Sequence, residues 1–261
     1  MPKQIVLSGL DAKPVQRYRA VLCDLDGCLI AGGVTLPGAV DFVHAVAERL
    51  WIVSNNSSDT AKTLAAQLHA LGLPVPESHI LLAGEQAVDH LAGTNPGAHL
   101  RCLANEPIVT RAKESGLRLG TGRADYVLLG RMAAFDLEHL QQAVADLHGG
   151  ARLLVANADR THPGPSGVPV PETGAWLAAV KACLPELDHE CFGKPSPRLL
   201  RQALERAGVA TTEAVFVGDN PETDGAAAAA LELDFIEIRR IPAMNGSGAL
   251  NGEGAGEALT C

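Results

Sequence analysis

The sequence predicts an α/β fold in which a parallel sheet carries a smaller, inserted α/β unit. Two observations support this prediction. Short apolar runs alternate with segments of helical length that are bounded by Gly, Pro or capping residues. The strands that would complete the first sheet follow only after a second block of the same alternation. With 261 residues, 47% of them hydrophobic, the chain can form one large domain or two modest ones.

The first part of the chain alternates between strand and helix. Pro37 stands at a position that favours the start of a helix, and Gly72 and Pro74 favour the end of another. Residues 1–19 carry little signal, and 79–83 is expected to connect to the inserted unit. The predicted elements are strands over 21–23 and 50–53 and helices over 39–48 and 59–71.

The middle of the chain repeats the alternation, and the last part returns to the first unit. The middle is predicted to have helices over 85–91, 106–115, 136–147 and 173–183 and strands over 100–103, 125–129 and 151–156. The return is predicted to have strands over 188–192, 214–217 and 234–238 and helices over 198–207 and 226–230. We therefore expect a core at 1–82 and 188–244, an inserted domain at 83–187, and a disordered Gly-rich tail at 245–261.

Polar side chains follow four of these predicted strands. Ligands bind beyond the carboxyl ends of strands in open parallel sheets, so we expect these side chains at one edge. Two carboxylates about 4 Å apart repel by roughly 4 kcal/mol at an effective dielectric near 20. A divalent cation with oxygen ligands would remove that conflict. Each segment alone is also compatible with an ordinary polar turn. The residues are Asp24 and Asp26, Ser54 and Asn55, Lys194, and Asp219 and Asp224.

The segments around these residues resemble the motifs of the haloacid dehalogenase superfamily of phosphatases, across nearly the whole chain. Asp24-Leu25-Asp26-Gly27-Cys28-Leu29 matches the first motif, and Ser54 with Asn55 matches the second. Lys194 matches the third, and Gly218-Asp219-Asn220-Pro221-Glu222-Thr223-Asp224 matches the fourth. The resemblance implies a Rossmann-like parallel-sheet core with an inserted cap domain.

The spacing of the motifs places that cap after the second motif. Thirty residues separate Asp24 from Ser54, whereas 140 separate Ser54 from Lys194. The α/β character of the insertion is similar to the para-nitrophenyl phosphatase, phosphoglycolate phosphatase and pyridoxal phosphatase branch. That branch often has a Pro-Gly-x-Gly turn, where this chain has Pro171-Glu172-Thr173-Gly174.

The resemblance implies a Mg²⁺-dependent phosphatase that forms an aspartyl-phosphate. Asp24 would be the nucleophile, and Asp26 the general acid and base. The Asp24 carboxylate, the Asp26 carbonyl and Asp219 would hold Mg²⁺, and Asp224 would orient Lys194 or water from outside that set. Ser54, Asn55 and Lys194 would bind the phosphate, with Ser54 and Lys194 gripping the phosphoryl oxygens and Asn55 next to them. The substrate would be a small phosphorylated metabolite of the sugar phosphate, phosphoglycolate or pyridoxal phosphate type.

The loop over 157–167 is expected to select the substrate. It holds Asp159 and His162, with Arg160 as a longer reach. In the branch that the chain resembles, a His in the matching cap loop contacts the substrate. Each of the three is alternatively a solvated loop residue.

Composition excludes several other classes of protein. A net charge of −9 disfavours a nucleic-acid surface, and no apolar stretch approaches 18 residues, so we expect no membrane helix. The N-terminus lacks the apolar segment of a signal peptide, and six cysteines without C-x-x-C spacing fit a reduced, cytoplasmic protein. A homodimer is left open.

Three alternatives to a metabolite phosphatase share the fold. A phosphomutase usually has a helical cap between the first two motifs, where this chain has room for only one strand-helix unit. A non-catalytic sensor of phosphometabolites would not need a nucleophile, and a phosphoprotein phosphatase is disfavoured by a cap over the site.

Overall fold

The computed structural model describes residues 2–163 and 168–240. Its strands, in chain order, are β1 (Gln4–Leu7), β2 (Ala20–Cys23), β3 (Ile30–Ala31), β4 (Val34–Thr35), β5 (Leu50–Ser54), β6 (Ile80–Leu82), β7 (Leu100–Leu103), β8 (Tyr126–Leu129), β9 (Arg152–Val155), β10 (Thr161–Pro163), β11 (Pro169–Pro171), β12 (His189–Cys191), β13 (Ala214–Gly218) and β14 (Asp234–Ile238). Its α-helices are α1 (Ala39–Val46), α2 (Ala61–Ala70), α3 (Ala83–Thr94), α4 (Glu106–Glu114), α5 (Leu137–His148), α6 (Thr173–Cys183), α7 (Arg198–Ala207) and α8 (Ala226–Ala229). Short 3₁₀ turns span Ala47–Arg49, Glu77–His79 and Thr211–Glu213, and a π-helical turn spans Pro221–Gly225.

The core is a parallel sheet in the order β1-β14-β13-β2-β5-β6. Its central strands β2, β5 and β13 are buried at every residue, as expected for apolar runs covered on both faces. Cys23 lies opposite Val217 on one side and Ile52 on the other. The three strands therefore end side by side, and the residues that follow them share one edge.

Helices cover both faces of this sheet. Phe42 and Val43 of α1 and Leu64 and Leu68 of α2 pack on one face, where they join the largest apolar cluster. The other face is covered by α7 and by the alanine helix α8, whose Ala227 and Ala228 are buried against Phe235 and its neighbours. Small side chains let α8 lie close to the sheet, which brings the turn before it to the edge of the strands.

The inserted domain is a second parallel sheet in the order β12-β9-β8-β7. Helices α3 and α4 pack on one side of it, and α5 and α6 pack on the other. The predicted α/β fold with an inserted α/β cap is thus confirmed.

The strand ahead of Lys194 is where the prediction was wrong. We expected 188–192 in the core sheet, but β12 pairs with β9 in the cap sheet, with Glu190 opposite Leu154. A three-residue parallel strand has the same local pattern in either sheet, so its sequence does not specify its partner. The sheet topology therefore puts residues 189–191 with the cap rather than with the second part of the core; the other domain bounds stay predictions.

Both edges of the core sheet also differ from expectation. β6 is a core strand, with Ile80 opposite Ile52, and not the connector predicted over 79–83. β1 pairs with β14, although residues 1–19 carry little sequence signal for a strand. That signal is weak because β1 lies at the sheet edge, where Ile5 and Val6 are partly exposed. In the cap loop, β10 and β11 form a short antiparallel hairpin.

Two further expectations concern segments outside the described residues and the absence of a membrane-spanning helix. The predicted tail over 245–261 and loop residues 164–167 lie outside the described residues. Within 2–163 and 168–240, no helix combines the length and the apolar character needed to span a bilayer.

Candidate active site

Asp24 occupies the end of the central strand β2 and is 7% exposed. Its backbone N–H donates to the carbonyl of Val217 on the neighbouring strand (2.8 Å), which holds the residue at the sheet edge. Three residues further on, Gly27 turns the chain with φ of +81°. A Cβ at Gly27 would lie 2.0 Å from Asp219 Oδ2, so only glycine lets the Asp219 side chain approach this turn.

Lys194 forms ion pairs with two carboxylates of the site, Asp24 and Asp224. Its side chain is nearly inaccessible, and Nζ lies 2.5 Å from Asp24 Oδ1 and 2.7 Å from Asp224 Oδ1. Desolvation lowers the pKa of Lys194, but the charges of Asp24 and Asp224 outweigh it, and the net pKa is raised. Lys194 is therefore held as a cation between two buried carboxylates.

A π-helical turn over Pro221–Gly225 places Asp224. The side chain of Asn220 accepts from the backbone of Glu222 (2.9 Å) at the start of the turn, and Asp224 N donates to the carbonyl of Asn220 (2.8 Å). Asp224 is fully buried, and a Cβ at Gly218 would lie 2.3 Å from its Oδ2. Wide turns of this kind often occur at functional sites. Here the turn directs the carboxylate back onto Lys194.

Three carboxylates converge at this edge. Asp24, Asp219 and Asp224 each offer an oxygen, and these atoms lie within 4.8 Å of one another. Desolvation first, and then the charge of Asp224, raises the pKa of Asp24 against the opposing effect of Lys194. Desolvation, with the charge of Asp224, also raises the pKa of Asp219 to about 6.

These carboxylates fit a divalent cation. With Asp26, four acids stand against the single charge of Lys194, and oxygen ligands suit a hard cation. Lys194 contacts one oxygen of Asp24 and one of Asp224, so all three carboxylates are candidate ligands of a metal. The expected ligand set, in which Asp224 stays outside, remains a prediction.

Ser54 is the last residue of β5 and Asn55 follows it, but the two side chains make different contacts. Ser54 is buried at the strand end, where its Oγ accepts from the backbone of Asn56 (3.1 Å). The Asn55 amide is engaged with protein. Its Oδ1 accepts from Lys194 N (2.7 Å), and its Nδ2 donates to Lys194 O (3.0 Å) and to Asp159 Oδ2 (2.9 Å). Asn55 therefore positions Lys194, and its amide is not free to bind phosphate as predicted.

The two predicted specificity residues separate in the structure. Asp159 faces Asn55 and acts on the core site through it. His162 instead lies on β10 with its Nδ1 2.7 Å from Glu172 Oε1, and Arg131 Nη1 is 3.3 Å from the same oxygen. Arg160 is exposed, and its carbonyl accepts from Glu172 N (2.9 Å). We call Arg131, His162 and Glu172 the cap cluster.

Asp26 lies in the turn after β2, where its side chain is solvent-exposed. Desolvation by the surrounding protein raises the pKa of Asp26, and the charge of Lys194 opposes it. Glu172 also raises this pKa, and His162 and Arg131 lower it, so all three members act on Asp26. A raised pKa suits an acid that must hold a proton for a leaving group.

No motif of the sequence pointed to Glu172 or Arg131 as a site residue. The available signal for Glu172 was the turn in which it replaces the usual glycine. Arg131 follows the apolar strand β8 just as Asp24 follows β2, and the same criterion of a polar residue beyond a strand would have selected it.

A buried polar contact joins the cap to the core beside this site. Ser57 Oγ accepts from Arg131 N (2.9 Å) and from Asn157 Nδ2 (3.3 Å), and lies 3.3 Å from Thr173 Oγ1. Asn157 Nδ2 also donates to the carbonyl of Asn55 (2.8 Å). Ser57, Asn157 and Thr173 are all buried. The cap is thus seated over the carboxylates by satisfied hydrogen bonds.

Comparison with known proteins places this arrangement in one family. A model described as haloacid dehalogenase-like hydrolase matches residues 21–118, and one described as HAD-hydrolase-like matches 191–240. The matched segments hold Asp24, Asp26, Ser54, Lys194 and Asp219.

Named relatives agree. The chain is 28% identical over 221 residues to a dihydroxyacetone phosphatase from Corynebacterium glutamicum, covering 84% of this chain and 80% of that protein. It superposes on a p-nitrophenyl phosphatase from Archaeoglobus fulgidus with a TM-score of 0.78 and 27% identity, covering 84% and 85%. A glycerol phosphate phosphatase from Mycobacterium tuberculosis, in complex with magnesium, gives a TM-score of 0.78 and 30% identity, covering 85% of this chain and 68% of that one.

The fold and the site thus define a capped phosphatase, a phosphoric monoester hydrolase. The chain belongs to the haloacid dehalogenase-like hydrolases, in the branch whose α/β cap follows the second motif.

Proposed function

We propose that the protein is a Mg²⁺-dependent phosphatase of small phosphorylated metabolites, and that it works through a phosphoryl group carried on Asp24. The observation that carries the proposal is the buried Asp24 carboxylate. Lys194 holds one of its oxygens at 2.5 Å, and Asp219 stands beside it. Lys194 leaves the second oxygen of Asp24 for a bond to phosphorus.

In the first step, the Asp24 carboxylate attacks phosphorus, and the bond from phosphorus to the ester oxygen breaks. Asp26 gives its proton to that oxygen, and a neutral alcohol leaves. In the second step, water attacks the same phosphorus while Asp26 takes a proton from it. The bond to Asp24 breaks, and inorganic phosphate is released with Asp24 and Asp26 restored.

Asp24 and Asp219 would hold the metal, which supplies charge neutralisation when bound. The glycerol phosphate phosphatase with magnesium supports Mg²⁺ as the ion. Lys194 and Ser54 would bind phosphoryl oxygens, and Asn55 fixes the backbone of Lys194 for that task. The relatives named above support a small phosphate ester as substrate. The hydrogen bonds that seat the cap over the site disfavour a folded phosphoprotein.

The test is hydrolysis of p-nitrophenyl phosphate by the wild type, Asp24→Asn and Asp26→Asn, with Mg²⁺ or excess chelator. Chelator should abolish turnover and Mg²⁺ should restore it. Asp24→Asn should lose at least about a thousandfold because no nucleophile remains. Asp26→Asn should also fail and should accumulate some phosphoenzyme, because loss of the base slows the second step.

Asp41→Asn is the matched control, since Asp41 is an exposed aspartate of the same core. It should keep wild-type activity. Near wild-type turnover by Asp24→Asn would refute the covalent route, and full activity in chelator would refute the metal.

A further inference from the structure

Asn157 carries a buried amide at the start of the loop over 157–167, and the phosphoryl chemistry does not use it directly. Its Nδ2 donates to the carbonyl of Asn55 (2.8 Å) and to Ser57 Oγ (3.3 Å). Its Oδ1 accepts from Asp159 N (3.1 Å), and the residue is 2% exposed. Because both ends of the amide are paired, removing it would leave buried polar groups without partners. Asn157 therefore joins a segment of the core to the loop of the cap.

Asn55 passes this contact on to Lys194. The Asn55 side chain accepts from Lys194 N (2.7 Å) and donates to Lys194 O (3.0 Å). Among the residues that the structure describes, the Lys194 backbone makes no other hydrogen bond. Asn55 is itself held at two points, since Asn157 bonds its carbonyl and Asp159 Oδ2 accepts from its side chain (2.9 Å). The backbone of Lys194 thus depends on an asparagine whose own position is set by the cap loop.

Gly193 shows how closely these segments approach one another. Its N–H donates to the carbonyl of Ala156 (2.7 Å), the residue before Asn157. A Cβ at Gly193 would lie 2.5 Å from Asn55 Oδ1 and 3.0 Å from Asn157 Cβ. A glycine is needed here because the two asparagines occupy the space into which a side chain would project. The peptide that leads to Lys194 therefore packs directly against both asparagines.

The other end of Lys194 leaves little freedom to absorb a shift of the backbone. Its ammonium lies 2.5 Å from Asp24 Oδ1 and 2.7 Å from Asp224 Oδ1, and the side chain is buried. A displaced backbone would have to stretch or break one of these contacts. Misplacing a positioned group by about 1 Å can cost roughly a hundredfold in rate.

We propose that Asn157 is a positioning residue, which acts through Asn55 to hold Lys194 where its ammonium can bind a phosphoryl group. A residue of the cap loop then sets the place of a phosphate-binding group of the core site. The proposal rests on the proposed phosphatase function. The alternative is a purely structural role, in which Asn157 only seats the cap and acts independently of Asn55.

The experiment is a double-mutant cycle between Asn157 and Asn55, with p-nitrophenyl phosphate and glycerol 3-phosphate as substrates. Asn157→Ala should lower kcat/KM by about 10- to 100-fold on both substrates alike, because it changes the phosphoryl site and not a contact with the alcohol. It should also raise the inhibition constant of inorganic phosphate by about 5- to 10-fold. In an Asn55→Ala background, Asn157→Ala should cost less than about threefold more, because the residue through which it acts is already gone.

A second variant and two comparisons separate positioning from cap stability. Asn157→Asp keeps the size of the side chain and an oxygen for Asp159 N but lacks the N–H donors, so it should show the same losses and the same dependence on Asn55. Ser57→Ala removes an acceptor from the cap contact, so it should lower Tm but leave the inhibition constant of phosphate within about twofold. Asn95→Ala, at a cap asparagine that donates to Thr94 Oγ1 (3.0 Å), is the matched control and should change neither kinetic constant.

Three results would overturn the proposal. The first is wild-type kcat/KM in both Asn157 variants, and the second is an unchanged inhibition constant of phosphate in both. The third is a loss from Asn157→Ala that is as large in the Asn55→Ala background as in the wild type. Failure of the phosphatase function itself is distinct, since the wild type would then release no phosphate from either ester.

Discussion

Replacement of Lys194 by Met tests how the site is held together. Met is similar in length and removes only the charge. Nζ lies 2.5 Å from Asp24 and 2.7 Å from Asp224, and all three side chains are buried. Each attraction is roughly 6 kcal/mol at an effective dielectric of about 20, and much of that repays the cost of burying the charges. Removing one member of a buried pair costs about 3–5 kcal/mol, and we expect Lys194→Met to lose that much in its free energy of unfolding.

The loss has a pH dependence with a defined sign. Desolvation already raises the pKa of Asp24 in the wild type while Lys194 opposes it. Without Lys194 the folded state binds a proton at Asp24 more tightly than the unfolded state does. Stability therefore falls as the pH rises above the ordinary aspartate range near 4, and the deficit of the variant shrinks toward acid pH.

Urea unfolding in chelator, at pH 5 and pH 7.5, measures this deficit. A Lys194→Met/Asp224→Asn double variant should recover part of the loss, because one of the two stranded charges is gone. Lys62→Met, at an exposed lysine of α2, should change the free energy of unfolding by less than about 0.5 kcal/mol. The reasoning is refuted if Lys194→Met loses under about 1 kcal/mol, or if its deficit grows on acidification.

Two further predictions concern Asp159 and Asp219. Asp159→Asn should lower kcat/KM for the aryl ester and for the best metabolite alike, by about 5- to 10-fold, because Asp159 acts through Asn55 on Lys194. A loss confined to the metabolite would put Asp159 at the leaving group instead. Burial raises the pKa of Asp219 to about 6, so the metal-free protein should lose stability between about pH 4 and pH 6, where the folded state holds a proton that the unfolded state has released. Asp219→Asn should remove this loss, which is about 1 kcal/mol after solvent screening, and so raise Tm in chelator at pH 7.5 by roughly 2–4 °C. The same variant should abolish the stabilisation by Mg²⁺. Thermal scans with and without the metal would contradict the assignment if Mg²⁺ still raised its Tm.

The sequence predicted those parts of the fold that depend on the pattern of contiguous residues. The apolar runs of β2, β5 and β13 are long enough to mark buried parallel strands, and each is followed directly by its polar residues. Two strands of the core sheet, β1 and β6, were not predicted. β1 has partly exposed side chains, and β6 has three residues that resemble a connector.

The candidate site divides in the same way. Ser54 ends a core strand, and Asp24, Asp26, Asp219 and Asp224 follow core strands. The parallel order of those strands is sufficient to bring them to one edge. Lys194 reaches the same edge from β12, which is a strand of the cap sheet. It was expected at this edge because 188–192 was predicted as a core strand, and that prediction was wrong.

The sequence by itself determined the α/β class, the order of the motifs and the position of the insertion, because each depends on local pattern and spacing along the chain. The tertiary structure alone decided which sheet takes β12, and that Asn55 meets Asp159 104 residues away. It also decided that Glu172 contacts His162 and Arg131, which lie on separate segments of the cap. The physical reason is that a polar side chain has the same hydrogen-bonding capacity wherever it lies. Which capacity is used depends on the segments that packing brings beside it.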